Sequence, residues 1–402
     1  MMFALENTLV LDLTHTGPGD VCTMMLGDLG SEVIKIQAIP DVSPKGRASY
    51  IDDDLKNHVF NPLNRNKKSL GLNLRAEEAR AIMYRLCERA DVVVEGFRPG
   101  TVKRLGVDYE TVAAINPRII YCSLSGYGQS GPYAGLPGHD VNYTGMSGVL
   151  GLIGNRTGPP VIPLNLLGDF AGAALHGVIG ILAALAARHT IGKGQYVDIA
   201  YLDTTISLLS FFGTRYFASG TILRRGETAL HGAYPYYGVY ETRDGKYISI
   251  GCLESRFWEV LCGALELEHL AEHHFQPDHF FMGSENPLWE EVRGELQRVF
   301  LTRTRDEWFE FLAPYDIPVG KVYAMDEVFG DPQVRHREMT VELEHELLGK
   351  VVQIGSPIKL SETPACARRL APTFGQHTRE VLKELDYPDS EIERFYEERV
   401  IG

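Results

Sequence analysis

The chain is short of positive charge. Over 402 residues, 39 lysines and arginines face 53 aspartates and glutamates, a formal net charge of −14. That balance excludes nucleic acid as the main partner and argues against an anionic membrane surface, since both attract basic faces. It leaves room for an anionic small ligand, because a local basic patch overrides the global sign. Cysteine is scarce as well: the six residues (22, 87, 122, 252, 262, 366) form no CxxC and no paired spacing. A disulfide framework is therefore excluded, and reduced thiols in a cytoplasmic protein are the expectation. The N-terminal "MMFALENTLVLDLT" lacks a basic stretch, and Glu6 and Asp12 interrupt its apolar run, so no secretory signal is expected. No G-x-S-x-G occurs, which removes the acyl-serine hydrolases. Metal-binding order is also missing: His269 and His273 stand four apart near Glu272 and Asp278, but without the H-E-x-x-H arrangement. An exposed polar helix end accounts for them, and no metal is expected. Only one long apolar run exists, "FAGAALHGVIGILAALAA" at 170–187. Its eighteen residues span about 27 Å as a helix, barely a bilayer core. Rich in alanine and glycine, with His176 in mid-span, it reads as a closely packed buried helix and not as a membrane span.

The elements that are present alternate. "TLVLDLT", "EVIKIQ", "SLGLNL", "DVVVEGF", "RIIYCSLS" and "GQYVDIAY" are strand-like runs. Between them, "DVCTMMLGDLG" and "AEEARAIMYRLCERA" carry apolar residues at helical spacing. This βαβ rhythm predicts an α/β fold with a parallel sheet covered on both faces. The chain also exceeds the usual single-core size, so a second domain is expected. Residues 1–200 read as the first part of the large domain and "DTTISLLSFFGTRYFASG", within 201–224, as a linker helix. Residues 225–330 read as a smaller α+β domain opening on a hairpin at Asp244-Gly245. Residues 331–402 read as a linker and the returning end of the large domain.

Three stretches carry potential chemistry. "GYGQSG" (126–131) formally matches a dinucleotide loop, but "PYAGLPG" follows it and cannot open the helix that such a loop needs. "PGHDVNY" (137–143) sets His139 directly before Asp140 in a turn. That pair reads as a solvated loop, a metal half-site or half of an acid–base pair. Asp169 enters where a strongly apolar helix begins, next to Gly168. It reads equally as a first-turn acid favoured by the helix dipole or as a partly desolvated base or nucleophile. A basic cluster in the first quarter of the chain includes Lys35, Lys45, Arg47, Arg65, Lys67, Lys68, Arg75, Arg98, Lys103 and Arg104.

These stretches occur in a recognisable order: "TGPGDVCTMMLGDLGSEVIKI", "NRNKKSLGLNL", "EGFRPGTVKRLGVDYE", "SLSGYGQSGPYA", "GHDVNY", "PLNLLGDFAGA" and "FGQHTREVLKELDYPDSEI". Practically the whole chain resembles the class III CoA-transferase family, which also contains the α-methylacyl-CoA racemases. The resemblance implies a Rossmann-like large domain built from both chain ends, a smaller domain between them, and two chains interlocked as rings in a homodimer. It implies an acyl-CoA substrate, with no cofactor beyond the CoA moiety itself. Phe97, Arg98 and Arg104 would then lie beside the nucleotide, Leu72 would offer backbone to the adenine, and Lys35 and Arg65 would belong to the same basic surface.

Two chemistries divide the family. A racemase removes and returns the proton alpha to the thioester on opposite faces, so it needs two bases and N–H donors for the enolate oxygen. By the resemblance these are His139 and Asp169, with the Asp140 backbone N–H on the oxygen and Glu254 orienting the histidine. A transferase needs only the carboxylate, which forms an anhydride and then an enzyme–CoA thioester. His139, Gly96 and the lack of a GGGG-type run between 215 and 240 favour the racemase branch. "NRNKKS", Tyr234 within "LHGAYPYYGVYE", and Gln37-Ala38 in place of an acidic–basic pair depart from it. The acyl pocket is expected to draw on the 41–61 loop and the aromatic 234–240 segment.

Overall fold

A computed structural model describes residues 2–15, 17–40, 59–274 and 287–402. Most of the 41–61 loop, together with Lys45, Arg47 and Asp278, lies outside them. The chain forms two compact units: residues 1–147, 164–207 and 332–402 make the first, and residues 148–163 and 208–331 the second.

The first unit is built on six parallel strands: β1 (Leu9–Leu13), β2 (Glu32–Gln37), β3 (Lys67–Gly71), β4 (Val92–Glu95), β5 (Ile120–Ser125) and β6 (Tyr196–Ala200). Their spatial order is β3-β2-β1-β4-β5-β6, the Rossmann-like arrangement in which the winding reverses between β1 and β4. The central strands are apolar on both faces, because helices cover both. On one side Ile82, Met83 and Leu86 of α2 (Glu77–Arg89) pack with Leu11, Ile34, Leu70 and Val93. On the other, Cys22 and Leu26 of α1 (Gly17–Asp28) pack with Val10, Val92, Val94 and Cys122. Further elements of this unit are α3 (Thr101–Leu105), α4 (Asp140–Met146), α5 (Leu166–Ile191) and α6 (Tyr201–Ser207).

The C-terminal segment closes the sheet edge. Ile401 bridges Leu72, and the Gly402 N–H donates to the Gly71 carbonyl at 3.1 Å. Lys68 binds Glu32, Glu380 and Glu384 at 2.8, 3.0 and 2.8 Å, tying β3 to the returning helix α8 (Thr378–Glu384).

The apolar run of 170–187 falls within α5. Its Val178, Ile181, Ala184 and Leu185 are buried, whereas Leu175, Ile179 and Leu182 are exposed at 41%, 60% and 36%. The sequence reading of a closely packed buried helix holds for one face of this chain. The stretch read as a single linker helix also divides. After Ser207, whose hydroxyl donates to the Thr204 carbonyl at 2.6 Å, the chain leaves helical geometry at Leu209 and resumes at Ser210–Ser219. The break coincides with the passage between units. Residues 148–163, contiguous in sequence with the first domain, cluster with the second unit. There Arg225 donates to the carbonyls of Asn155 and Gly158, at 2.6 and 2.5 Å.

The second unit holds the antiparallel strands β7 (Tyr237–Glu241), β8 (Tyr247–Gly251) and β9 (Val319–Val322), with the predicted hairpin turning through Gly245 at φ 71°. Helices including α7 (Ser255–Ala264) cover it around Trp258, Leu296, Phe300 and Leu312.

Candidate active site

In a parallel sheet the crossover helices run back against the strands, so helix N-termini gather above the carboxyl ends of the strands. His139, Asp140 and Asp169 all stand at such N-termini, between β5 and β6. His139 is the residue before α4, in extended conformation (φ −132°, ψ 176°), and its N–H donates to Asn142 Oδ1 at 3.0 Å. Tyr143 fixes this turn. A side chain at Gly126 or Gly138 would meet its ring at 2.5 or 2.6 Å, so both glycines are needed to let the ring lie flat against backbone. Tyr143 meets Tyr127 and Tyr201 edge-on at 5.1 and 5.2 Å, and burial pushes its hydroxyl up to about 12.

Asp140 is 6% exposed, and its Oδ2 accepts from the N–H groups of Gly168 and Asp169 at 2.8 and 2.9 Å. The carboxylate thereby satisfies two of the donors that open α5, at the positive end of the helix dipole. Gly168 makes this possible: a Cβ there would lie 2.8 Å from Asp140 Oδ2. As the first residue of α4, Asp140 also has no intrahelical carbonyl for its own N–H. Its side chain is thus a structural clasp between two helices, in addition to the backbone role expected from sequence.

Asp169 is half-buried and accepts from Asn165 Nδ2 at 3.1 Å. Burial raises its proton affinity above that of an ordinary aspartate. The Asn165 hydrogen bond opposes the rise, Asp140 adds to it, and His139 opposes it, which puts both neighbours within electrostatic reach. The first turns of α5, Leu166–Ala174, are wound as a π-helix, a form common at functional sites. His176 Nδ1 lies 3.0 and 2.7 Å from the carbonyls of Ala171 and Gly172 there, which accounts for a histidine inside an apolar helix.

The other expected residues separate into groups. Phe97, Arg98 and Arg104 come together on the turn after β4 and on α3. Phe97 is half-buried and meets His15 edge-on at 4.6 Å. Arg98 is exposed and acts electrostatically on Tyr143. Arg104 is exposed and donates to the Gly100 carbonyl and Thr101 Oγ1 at 3.3 and 2.9 Å. Lys35 and Arg65 instead turn inward. Lys35 is 6% exposed, pairs with Asp20 and stands 3.6 Å from Asp12; Lys67, 1% exposed, reaches Asp12 at 3.0 Å. Burial works against the Asp12 carboxylate, but both lysines and the hydroxyls of Thr14 and Thr23 outweigh it and hold its pKa far below normal. Arg65, 2% exposed, clasps Asp28 through two bonds of 3.0 and 2.5 Å. Neither residue displays its charge to a ligand. Leu72 is buried, and its N–H is taken by the Gln37 carbonyl at 2.8 Å. Glu254 belongs to the second unit, exposed, immediately before α7. Among the described residues, no three His, Cys, Asp or Glu side chains converge to hold a metal ion. Sequence reasoning missed Asn165, whose signal was its place four residues before Asp169 at the helix start.

A doubly wound sheet with a carboxylate of raised proton affinity and a histidine on adjoining helix N-termini defines an α/β enzyme site suited to proton transfer or acyl capture. The model of CoA-transferase family III matches residues 5–378, and the chain belongs to that family. It is 33% identical to the human alpha-methylacyl-CoA racemase over 99% of this chain and 97% of the relative. It is 32% identical to the human succinyl-CoA:glutarate CoA-transferase over 96% and 87%. A crystal structure of a CAIB/BAIF family protein from Brucella suis superposes with a TM-score of 0.80 at 30% identity, covering 96% of this chain and all of that one. The chain is thus a family III enzyme, and relatives of both activities stand at nearly the same identity.

Proposed function

We propose that this enzyme is an α-methylacyl-CoA racemase, exchanging the alpha proton of a 2-methylacyl-CoA between His139 and Asp169. The observation that carries the reading is the clasp. Asp140 joins the helix that follows His139 to the helix that bears Asp169, and His139 acts electrostatically on Asp169, which supports pairing the two as bases. In one direction neutral His139 takes the proton. The C–H electron pair moves onto the thioester oxygen, towards the Asp140 N–H, and protonated Asp169 delivers a proton to the opposite face. Asp169 must be an acid in that half-reaction, and its raised proton affinity serves this need. One such N–H on an enolate oxygen is worth about 3 kcal/mol, by analogy with oxyanion holes. Phe97, Arg98 and Arg104 hold the nucleotide end of the substrate.

We further propose a homodimer. Leu175, Ile179 and Leu182 form an exposed apolar stripe at helical spacing on α5, and Phe211, Tyr216 and Phe217 are 50%, 56% and 86% exposed in the second unit. Exposed apolar side chains of this kind mark a protein interface, and a second copy of the chain is the occupant.

The test is deuterium uptake at the alpha carbon of a 2-methylacyl-CoA in D2O with no acceptor acid. Uptake that is lost in both His139→Ala and Asp169→Ala is expected. A hydroxylamine-sensitive enzyme adduct that needs an acceptor acid, survives His139→Ala and is lost in Asp169→Ala would replace this reading with CoA transfer.

A further inference from the structure

Glu95 ends β4 at the point where the sheet reverses its winding, and the site described above does not use it. It is 1% exposed, with Leu13 of β1 on one side and Ser123 of β5 on the other. Its Oε2 accepts the N–H of Phe97 at 2.7 Å, and Ser123, its register partner on β5, favours the ionised carboxylate. Tyr196 of β6 in turn donates to Ser123 Oγ at 2.8 Å. The titratable groups facing Glu95 are Tyr121 and Cys122 on β5 and Tyr196 and Asp198 on β6. None is a cation, and β1 contributes no charge beside it. Burial without a counter-charge pushes the Glu95 carboxyl up to about 7, against the Ser123 and Phe97 hydrogen bonds and with a small addition from Asp198.

An uncompensated carboxylate at this depth is costly, and the arrangement around it has a single direction. It anchors the first turn after β4, which runs through Phe97 and Arg98 to Gly100, at φ 81° before α3. The Phe97 ring leans edge-on against His15 from the loop after β1, across the crevice in which doubly wound folds bind ligands.

We propose that Glu95 is a positioning residue: as an anion under the Phe97 amide it fixes the 96–100 turn, and with it the grip of that turn on the nucleotide end of an acyl-CoA. The inference rests on the reading that CoA lies along this turn, which racemase and transferase would share. It does not depend on which chemistry follows. A bond from an amide to a carboxylate is about twice as strong as one to a neutral acid, so deprotonation should tighten binding by about tenfold.

Affinity for free CoA and for 2-methylbutanoyl-CoA is to be titrated from pH 5.5 to 9 in the full-length enzyme, Glu95→Gln and Arg98→Ala. Glutamine keeps the acceptor for Phe97 but is neutral at every pH. The ratio of wild-type to Glu95→Gln affinity is expected to rise from about 1 at pH 5.5 to about 10 above pH 8, with its midpoint near 7. KM should follow the same ratio while kcat does not. Arg98→Ala should bind weakly throughout. If Arg98→Ala is weak yet the ratio stays at 1 across the range, the role of Glu95 is overturned. If Arg98→Ala binds like wild type, the placement of CoA on this turn fails instead. Should Glu95→Gln not fold, Ser123→Ala removes a hydroxyl that favours the anion and must move the wild-type midpoint upward. An unmoved midpoint would overturn the proposal equally.

Discussion

Replacing Gly168 with alanine tests the clasp directly. By backbone propensity alone the change would help, since alanine in a helix is favoured over glycine by about 1 kcal/mol. The structure predicts the opposite sign. The new Cβ would lie 2.8 Å from Asp140 Oδ2 and 3.3 Å from both Asp140 Cγ and Thr144 Cγ2. A side-chain oxygen can usually move aside, but this one is held by two N–H groups at 2.8 and 2.9 Å in a 6% exposed residue. Its partner oxygen, Oδ1, already has no hydrogen bond. Bonds to a charged group are worth about 1.5–3 kcal/mol each, and a displaced buried carboxylate finds no replacement. Losing one bond fully and about half of the other, less the propensity gain, gives a net cost of about 1–3.5 kcal/mol. All three tryptophans (258, 289, 308) lie in the second unit, so their fluorescence would miss the event. Amide hydrogen exchange at residues 168 and 169, together with urea unfolding followed by far-ultraviolet circular dichroism, reads the first unit. The same substitution in an Asp140→Ala background should cost at least 1.5 kcal/mol less, because the clash is gone. An alanine variant as stable as wild type with both amides still protected, or a cost unchanged in that background, would show that the Asp140 carboxylate does not confine residue 168.

Three further outcomes are expected. Glu95→Gln should gain stability relative to the wild type as pH rises: a native carboxyl at about 7 against an ordinary 4.5 means the wild-type folded state binds more protons between those values. The wild type therefore loses up to about 3 kcal/mol across that window, and the glutamine variant does not, as unfolding at pH 5 and pH 8 would reveal. Lys67→Met should cost about 3–5 kcal/mol at pH 7 by leaving fully buried Asp12 with one cation, and adding Asp12→Asn should recover at least half, both measured by urea unfolding. Ile179→Asp, at a 60% exposed site, should be near neutral for folding but should yield monomers in sedimentation experiments; an unchanged dimer, or a monomeric wild type, would remove α5 from the interface.

Much of the fold was legible because its signals are local. Alternating apolar strands and helical periodicity mark all six strands of the parallel sheet within windows of a few residues, and Asp244-Gly245 marks the hairpin. The site was legible in its residue types but not in its connections. Nothing near Lys35 announces that Asp20, fifteen residues earlier, takes its charge, or that Arg65 is spent on Asp28. Both look like surface cations until the sheet brings β2 and β3 beside α1. The split of the 201–224 stretch was hidden for a related reason: its composition is helical throughout, and the break follows from where the chain passes between units.

His139 beside Asp140, Asp169 at the head of an apolar helix, the acidic balance and the βαβ order are properties of the chain as written, since each depends on neighbours within a turn or two. Only the tertiary structure decides what those residues do to one another. The Asp140 carboxylate crosses 28 residues to reach the Gly168 amide, and Asp169 gains its proton affinity from burial and from that neighbour. Hydrophobic periodicity is set by backbone geometry and can be read in one dimension. Partner choice among buried charges is set by distance and desolvation, which exist only once the sheet has formed.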